Sequence, residues 1–161
     1  MNVDRWTGKL RVVALMFAAG LLLFPCMAAV KNMAVIAAAG SKLQDVPLAE
    51  LAKLCKGSQK TWSDGRNFTL IMKDPESPDM RIVVQKLFGV TPAELKTALA
   101  KLNESRQMLK IVENDQDLLR AVEAIPGAVG VVDVYAINSS VKVLRVDGKL
   151  PFDLGYVLKG N

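Results

Sequence analysis

The stretch AIPGAVGVV, residues 124–132, decides how the second half of the chain folds. A helical pattern of apolar residues runs into Pro126 and Gly127, and an uninterrupted apolar run follows. Pro126 cannot continue a helix because its ring blocks the preceding turn and it lacks an N–H, whereas Gly127 can adopt a positive φ. The run from Ala128 to Val132 therefore predicts a strand, in which Gly130 allows a helix or another backbone to come close.

Strands and helices alternate on both sides of this stretch. Apolar runs predict strands at 33–39, 67–72, 128–134 and 141–146, and helical periodicity predicts helices at 47–57, at 79–88, from 91 onward and from 114 to 125. Strands made of continuous apolar residues are covered on both faces of their sheet. We therefore expect an α/β domain in which helices flank a mixed sheet.

The composition narrows the chemistry that the chain can perform. Its 161 residues suffice for one domain, and none of them is histidine. The absence of histidine excludes a Ser-His-Asp or Cys-His mechanism and a zinc site built on histidine, and we expect neither an enzyme nor a bound cofactor. The net charge of +5 is spread along the chain, whereas a nucleic-acid-binding face needs a concentrated basic patch.

The first 29 residues have the order of a secretory signal peptide. A basic N-terminal region precedes an apolar run from Val12 to Phe24, and Ala28 and Ala29 supply a cleavage site. Cleavage leaves residues 30–161, with 18 Lys and Arg against 15 Asp and Glu and a net charge of +3, as a periplasmic or secreted protein. A retained membrane anchor and a lipoprotein acylated at Cys26 are the alternatives.

Cleavage would leave Cys55 as the single cysteine, so that no internal disulfide could form. Leu48 and Leu51 precede it at the spacing of one helix face, which predicts a buried structural thiol. The neighbouring Lys53 and Lys56 keep a second interpretation open, because nearby positive charge lowers the pKa of a thiol and makes it reactive.

Several short motifs occur in an order that resembles the phosphate-binding proteins of ABC importers. A Trp62-Ser63-Asp64-Gly65 turn precedes the second predicted strand, and Ile125-Pro126-Gly127-Ala128-Val129-Gly130 leads into the third. Other matching segments are LAEL at 48–51, KG at 56–57, LFG at 87–89 and VLRVDG at 143–148. The resemblance covers roughly residues 34–150 and is closest to the short, single-lobe members of the group.

The resemblance implies a single lobe of the type II periplasmic-binding-protein-like fold, and the binding of phosphate or a similar small anion. Full-length members hold the anion in a cleft between two lobes, and this chain is long enough for about one. A second surface would then come from another copy of the chain, as a homo-oligomer, or from a protein partner such as an ABC permease. The alternative is a non-enzymatic periplasmic interaction module that has kept the fold and lost the ligand.

The segment from Lys73 to Arg81 is the candidate ligand loop. The resemblance matches Asp74 and Ser77 in type to the ligand loop of the family, whose arginine and glycines are absent here. We expect a helix to begin after Ser77 and Pro78, and the free N–H groups at a helix N-terminus attract anions. Ser77 would donate its hydroxyl, Lys73 and Arg81 would supply charge, and Asp74 would accept the proton of a hydrogen phosphate.

Other interpretations of this loop remain open. Capping alone explains Ser77, and Glu76 and Asp79 place negative charge where an anion would lie. The acidic side chains are oxygen ligands of the kind that calcium prefers, but the spacing and the glycine of a calcium loop are missing. The predicted ligand-binding residues are Lys73, Asp74, Ser77, Asp79 and Arg81.

Overall fold

The structure is a computed structural model that describes residues 30–106 and 108–160, without the side chains of residues 100–106. The strands are β1 (Lys31–Ala38), β2 (Asp45–Val46), β3 (Thr69–Met72), β4 (Leu109–Ile111), β5 (Ala128–Asp133), β6 (Val141–Val143), β7 (Arg145–Val146) and β8 (Lys159–Gly160). The helices are α1 (Leu48–Cys55), α2 (Arg81–Val83), α3 (Pro92–Arg106) and α4 (Asp115–Ala124). A π-helical turn, Val84–Phe88, continues α2, and a 3-10 turn, Val134–Ala136, follows β5.

The predicted signal peptide at 1–29 lies outside the described residues. None of the helices that the structure describes between residues 30 and 160 has both the length and the apolar character that a bilayer crossing requires.

Six strands form a mixed sheet in the order β4-β3-β5-β1-β6, and β8 pairs with the start of β1. β3, β4 and β5 run parallel to one another, whereas β1 is antiparallel to β5, β6 and β8. The α/β fold with a mixed sheet is therefore confirmed. Because parallel strands share a direction, the carboxyl ends of β3, β4 and β5 meet at one edge of the sheet. Ligands of open α/β sheets bind outside such an edge, and the candidate ligand loop begins there.

The sheet is buried on both faces. α1, α2 with its π-helical turn, and α3 cover one face and bury large side chains, among them Leu51, Leu87 and Leu95. α4 covers the other face with Leu118 and Val122. Gly130 of β5 makes this second contact possible, because a Cβ at that position would lie 2.7 Å from a methyl carbon of Leu118 and of Val122. The predicted close approach of a helix at Gly130 is confirmed.

The Pro126-Gly127 turn is tied to the Trp62 turn across the fold. Gly127 has a φ of +82°, and its carbonyl accepts a hydrogen bond of 2.8 Å from the buried indole N–H of Trp62. The Trp62 ring packs edge to face on Phe68, with 5.3 Å between the ring centroids. Two motifs that are 65 residues apart in the sequence therefore stabilise one another in the folded chain.

The segment 141–146 is two strands, where the sequence predicted one. β6 pairs with β1, whereas β7 pairs with β2 in a separate two-stranded sheet. Leu144 lies between them, fully buried, and its N–H donates to the carbonyl of Val35 over 2.8 Å. The chain changes sheets at Leu144, and the apolar pattern alone does not reveal this change because both pieces bury their side chains.

Several strand boundaries also differ from the prediction. β1 covers 31–38, where 33–39 was predicted. β3 begins at Thr69 because Asn67 forms an isolated bridge with Thr61. β5 ends at Asp133, whose carboxylate accepts the N–H of Tyr135 over 3.0 Å and turns the chain into the 3-10 turn. β2, β4 and β8 were not predicted, because strands of two or three residues are too short to show a period.

Candidate functional site

Asp74 organises the candidate ligand loop, which lies between β3 and α2. Its carboxylate accepts the N–H of Glu76 over 2.9 Å. Its backbone carbonyl accepts both the N–H of Ser77, over 2.9 Å, and the Ser77 hydroxyl, over 2.7 Å. This self-contained turn uses the donors that Ser77 was expected to offer to an anion.

The prediction that Ser77 caps a helix starting near Asp79 is wrong. α2 begins at Arg81, its N-cap residue is Met80, and no side chain caps it. The Ser77 hydroxyl donates backward to Asp74 and does not accept a helix N–H. Residues 78–80 form a turn, so the Ser-Pro signal marks a turn that leads into the helix.

Lys73 is held between two carboxylates. Its Nζ lies 2.5 Å from Oδ2 of Asp79 and 2.8 Å from Oδ1 of Asp115, at the first residue of α4. The side chains of Lys73 and Asp79 are each only 15% exposed, which marks these pairs as partly buried. Burial opposes the charged ammonium, but its hydrogen bonds with Asp115 and Asp79 outweigh burial and raise the pKa of Lys73.

The pKa of Asp79 is shifted in the opposite direction, below its ordinary value. Burial favours its neutral form, but the hydrogen bond from Lys73 and a backbone hydrogen bond hold the pKa of Asp79 below its ordinary value. Lys31, at the start of β1, adds a weaker favourable field at Asp79 and itself lies 3.8 Å from Asp133. The carboxyl edge of the sheet therefore carries alternating charges that compensate one another. The positive charge of Lys73 is compensated by carboxylates within the fold.

Arg81 has a different environment. Its side chain is exposed at the start of α2, and it takes part in none of the salt bridges among the residues that the structure describes. Arg81 lines an open groove of about 560 Å³ between the candidate ligand loop, α2 and the start of α3. The groove is lined by Glu76, Arg81, Gln85, Val90, Thr91, Pro92 and Ala93.

One ion pair and one capping box shape this groove. Nζ of Lys96, on α3, lies 2.6 Å from the carboxylate of Glu76, in the candidate ligand loop, so the two elements are linked across the groove margin. Thr91 and Glu94 form a capping box at the start of α3. The Glu94 carboxylate accepts the Thr91 N–H over 2.8 Å, and the Thr91 hydroxyl accepts the Glu94 N–H over 3.3 Å.

The sequence pointed to Arg81 but not to Asp115, which pairs with Lys73, or to Gln85, which lines the same groove as Arg81. Asp115 lies in the first turn of α4. Asn114 caps this helix, because its Oδ1 accepts the Asp117 N–H over 2.9 Å. That Asp115 also reaches Lys73 depends on the neighbouring positions of β3 and β4 in the sheet. Gln85 follows Arg81 by one helical turn, a spacing that was available as a signal.

Cys55 is a free cysteine in the part of the chain that the structure describes. It is buried, and burial raises the pKa of its thiol to about 12, so the prediction of a structural thiol is confirmed. It lines an apolar cavity of only about 20 Å³ with Phe68 and Leu99, which has room for about one water molecule. Among the described residues, no group of three or more Asp, Glu or Cys side chains is arranged to hold a metal ion.

The fold is similar to solved phosphate-transport receptors. An ABC-type phosphate transport receptor from Vibrio cholerae is 14% identical, with a TM-score of 0.61 over 76% of this chain and 49% of that chain. PstS from Borrelia burgdorferi is 16% identical, with a TM-score of 0.63 over 83% and 56%. A substrate-binding protein of the phosphate ABC transporter type from Clostridium perfringens, solved with bound phosphate, is 17% identical. Its TM-score is 0.61 over 76% of this chain and 48% of that chain.

No protein-family model and no curated protein sequence matches the chain. The structural likeness nevertheless confirms the resemblance that the motifs predicted, at the level of the fold. The chain has the mixed α/β fold of phosphate ABC transporter substrate-binding proteins and spans about half the length of the solved structures it matches.

Proposed function

We propose that the protein is a non-enzymatic solute-binding module for a small anion, with phosphate as the first anion to test. The observation that carries this proposal is the fold, which is shared with phosphate-transport receptors over about three quarters of the chain, including one solved with phosphate. The protein would act in the periplasm or outside the cell, after residues 1–29 are removed as a signal peptide.

Arg81 is the residue that we propose to bind the anion. It is the cation of the predicted set that lines an open groove, and a guanidinium can hold two oxygens of one oxyanion at once. Lys73, Asp79 and Asp115 would hold the start of the loop in place, because the charge of Lys73 is already compensated by the two carboxylates. Asp74 and Ser77 would set the backbone turn that leads to Arg81.

A second surface would complete the site. The groove beside Arg81 is open to solvent, and the chain spans about half of its structural neighbours. Another copy of the chain, or a membrane permease of the ABC type, would supply the opposite wall in this proposal. Such a partner would lower the exposure of the anion and strengthen its electrostatic attraction to Arg81.

The test is thermal unfolding of the purified protein in phosphate, sulfate and chloride at matched ionic strength. A ligand present at about 100 times its dissociation constant adds about 2.7 kcal/mol to the free energy of unfolding. We expect a stabilisation specific to phosphate, lost in Arg81→Gln and retained in Lys86→Gln. Lys86 is an exposed lysine of the π-helical turn that does not line the groove.

An interaction module without a ligand is the second candidate, favoured by one surface feature. Phe152 and Leu154 are 70% and 93% exposed, on a turn braced by the hydrogen bond of 2.7 Å from the Leu150 N–H to the Asp153 carboxylate. Large apolar side chains on a braced turn are typical of protein contacts. If millimolar phosphate leaves the unfolding temperature unchanged, anion binding by the lone chain is wrong and this candidate takes its place.

A further inference from the structure

The groove beside Arg81 is much larger than a tetrahedral oxyanion requires. Its volume of about 560 Å³ lies within the range of about 300–1,000 Å³ that is typical of sites for organic ligands. A site for a lone oxyanion would instead close tightly around the ion with several polar donors. The groove is open and therefore has room for a ligand with a body in addition to its charged group.

The two walls of the groove differ in chemistry. Arg81 and Gln85 stand one helical turn apart on the same side of the helical segment that begins with α2. Together they offer a guanidinium and an amide to oxygen atoms. A second, apolar part of the groove lining is formed by Val90, Pro92 and Ala93, and Val90 is 38% exposed. One end of a ligand would therefore meet hydrogen-bond donors while the other end meets apolar carbon.

The negative charge of Glu76, at the groove margin, does not compensate the positive charge of Arg81. The carboxylate of Glu76 is paired with Lys96 at 2.6 Å, and this hydrogen bond raises the pKa of Lys96. This pair sets one negative and one positive side chain beside each other, so the local charge of the margin is close to balanced. The net positive charge inside the groove comes from Arg81, which favours an anionic head group over a neutral or cationic one.

We propose that this groove binds an organic anion, with its oxyanion head on Arg81 and Gln85 and its apolar body against Val90, Pro92 and Ala93. The inference rests on the proposed anion binding at Arg81 and adds the class of ligand. The apolar body would be removed from water on binding, which supplies affinity that inorganic phosphate cannot obtain.

Isothermal titration calorimetry of the purified full-length protein tests this inference with three probes. Phenylphosphonate carries the head and a body, inorganic phosphate carries the head alone, and benzyl alcohol carries a comparable body without charge. We expect phenylphosphonate to bind at least about tenfold more tightly than phosphate, and benzyl alcohol to bind more weakly than phenylphosphonate by a similar factor.

Two variants separate the contributions of the walls. Arg81→Gln should weaken both anions by about tenfold or more, whereas Val90→Ser should weaken phenylphosphonate by roughly fivefold and leave phosphate unchanged. Lys86→Gln is the control and should change neither. Both wall residues are exposed, so these variants are expected to fold.

Three outcomes would count against the inference. Equal affinities for phosphate and phenylphosphonate would overturn it and leave the proposed anion binding intact. Benzyl alcohol binding as tightly as phenylphosphonate would overturn it as well, because the charged head would then contribute nothing. Binding of neither anion would overturn both proposals.

Discussion

Lys73 and Arg81 are cations at the two ends of one short loop, and the fold uses them in opposite ways. Lys73 is half-buried and paired with two carboxylates, one from its own loop and one from α4. Arg81 is exposed on an open groove whose margin carries an acid that is already paired. A cation in a candidate ligand loop is therefore available to a ligand only when the rest of the fold leaves its charge uncompensated.

Removing the charge of Lys73 is expected to have the largest effect on stability. Lys73→Met leaves Asp79 and Asp115 close together and partly buried without a counter-charge, which should destabilise the fold by about 2 kcal/mol. Urea unfolding followed by circular dichroism measures this change. Lys86→Met, at an exposed position, is the matched control and should stay within about 0.5 kcal/mol of the wild type.

The same urea unfolding experiment can contradict the different roles assigned to Lys73 and Arg81. A change below about 0.5 kcal/mol in Lys73→Met would mean that the ion pairs contribute little, and that Lys73 is as free to meet a ligand as Arg81.

The ion pairs of Lys73 also predict how the stability of the fold depends on pH. The pKa of Asp79 is held below its ordinary value of 3.8, so its contribution is complete above that value and is lost as the pH falls through the lower pKa of the folded state. The pKa of Lys73 is raised above 10.5, so its contribution is complete below that value and is lost as the pH rises through the higher folded pKa.

We therefore expect Asp79→Asn to flatten the acid limb of the stability curve. Unfolding free energies measured at about pH 5 and at about pH 3 should show a larger loss in the wild type than in the variant. Arg81→Gln should lose as much stability as the wild type between these two pH values, since Arg81 makes no salt bridge among the described residues. Parallel losses in the wild type and Asp79→Asn would contradict the assigned role of the Lys73 pair.

The smallest effect is expected at Ser77. Ser77→Ala removes the hydroxyl that donates to the Asp74 carbonyl over 2.7 Å. Because the Ser77 N–H still donates to the same carbonyl, we expect a loss of no more than about 0.5 kcal/mol in urea unfolding. A loss of about 1 kcal/mol or more would instead be typical of a helix N-cap and would restore the capping role that the sequence predicted.

The sequence predicted the architecture well because its strongest signals are local. Pro126 and Gly127 end a helix because of their own backbone geometry. Gly130, within an apolar run, predicts the close contact that α4 makes with the sheet. The turn motif that contains Trp62 was identified in the sequence, and the structure shows that this tryptophan is buried. Short strands escaped prediction, because β2 and β8 form by pairing with distant segments and show no period of their own.

The candidate site likewise has some features that can be read from the sequence and others that depend on the folded chain. The α/β order, the absence of histidine chemistry, and two cations and a serine in the segment from Lys73 to Arg81 can all be read from the sequence. Which of the two cations is left without an ion pair among the described residues depends on the folded chain. The pairing of β3 with β4 brings the start of α4, and with it Asp115, beside Lys73. Electrostatic compensation depends on distance in space, and the distance between residues 73 and 115 is set by the sheet.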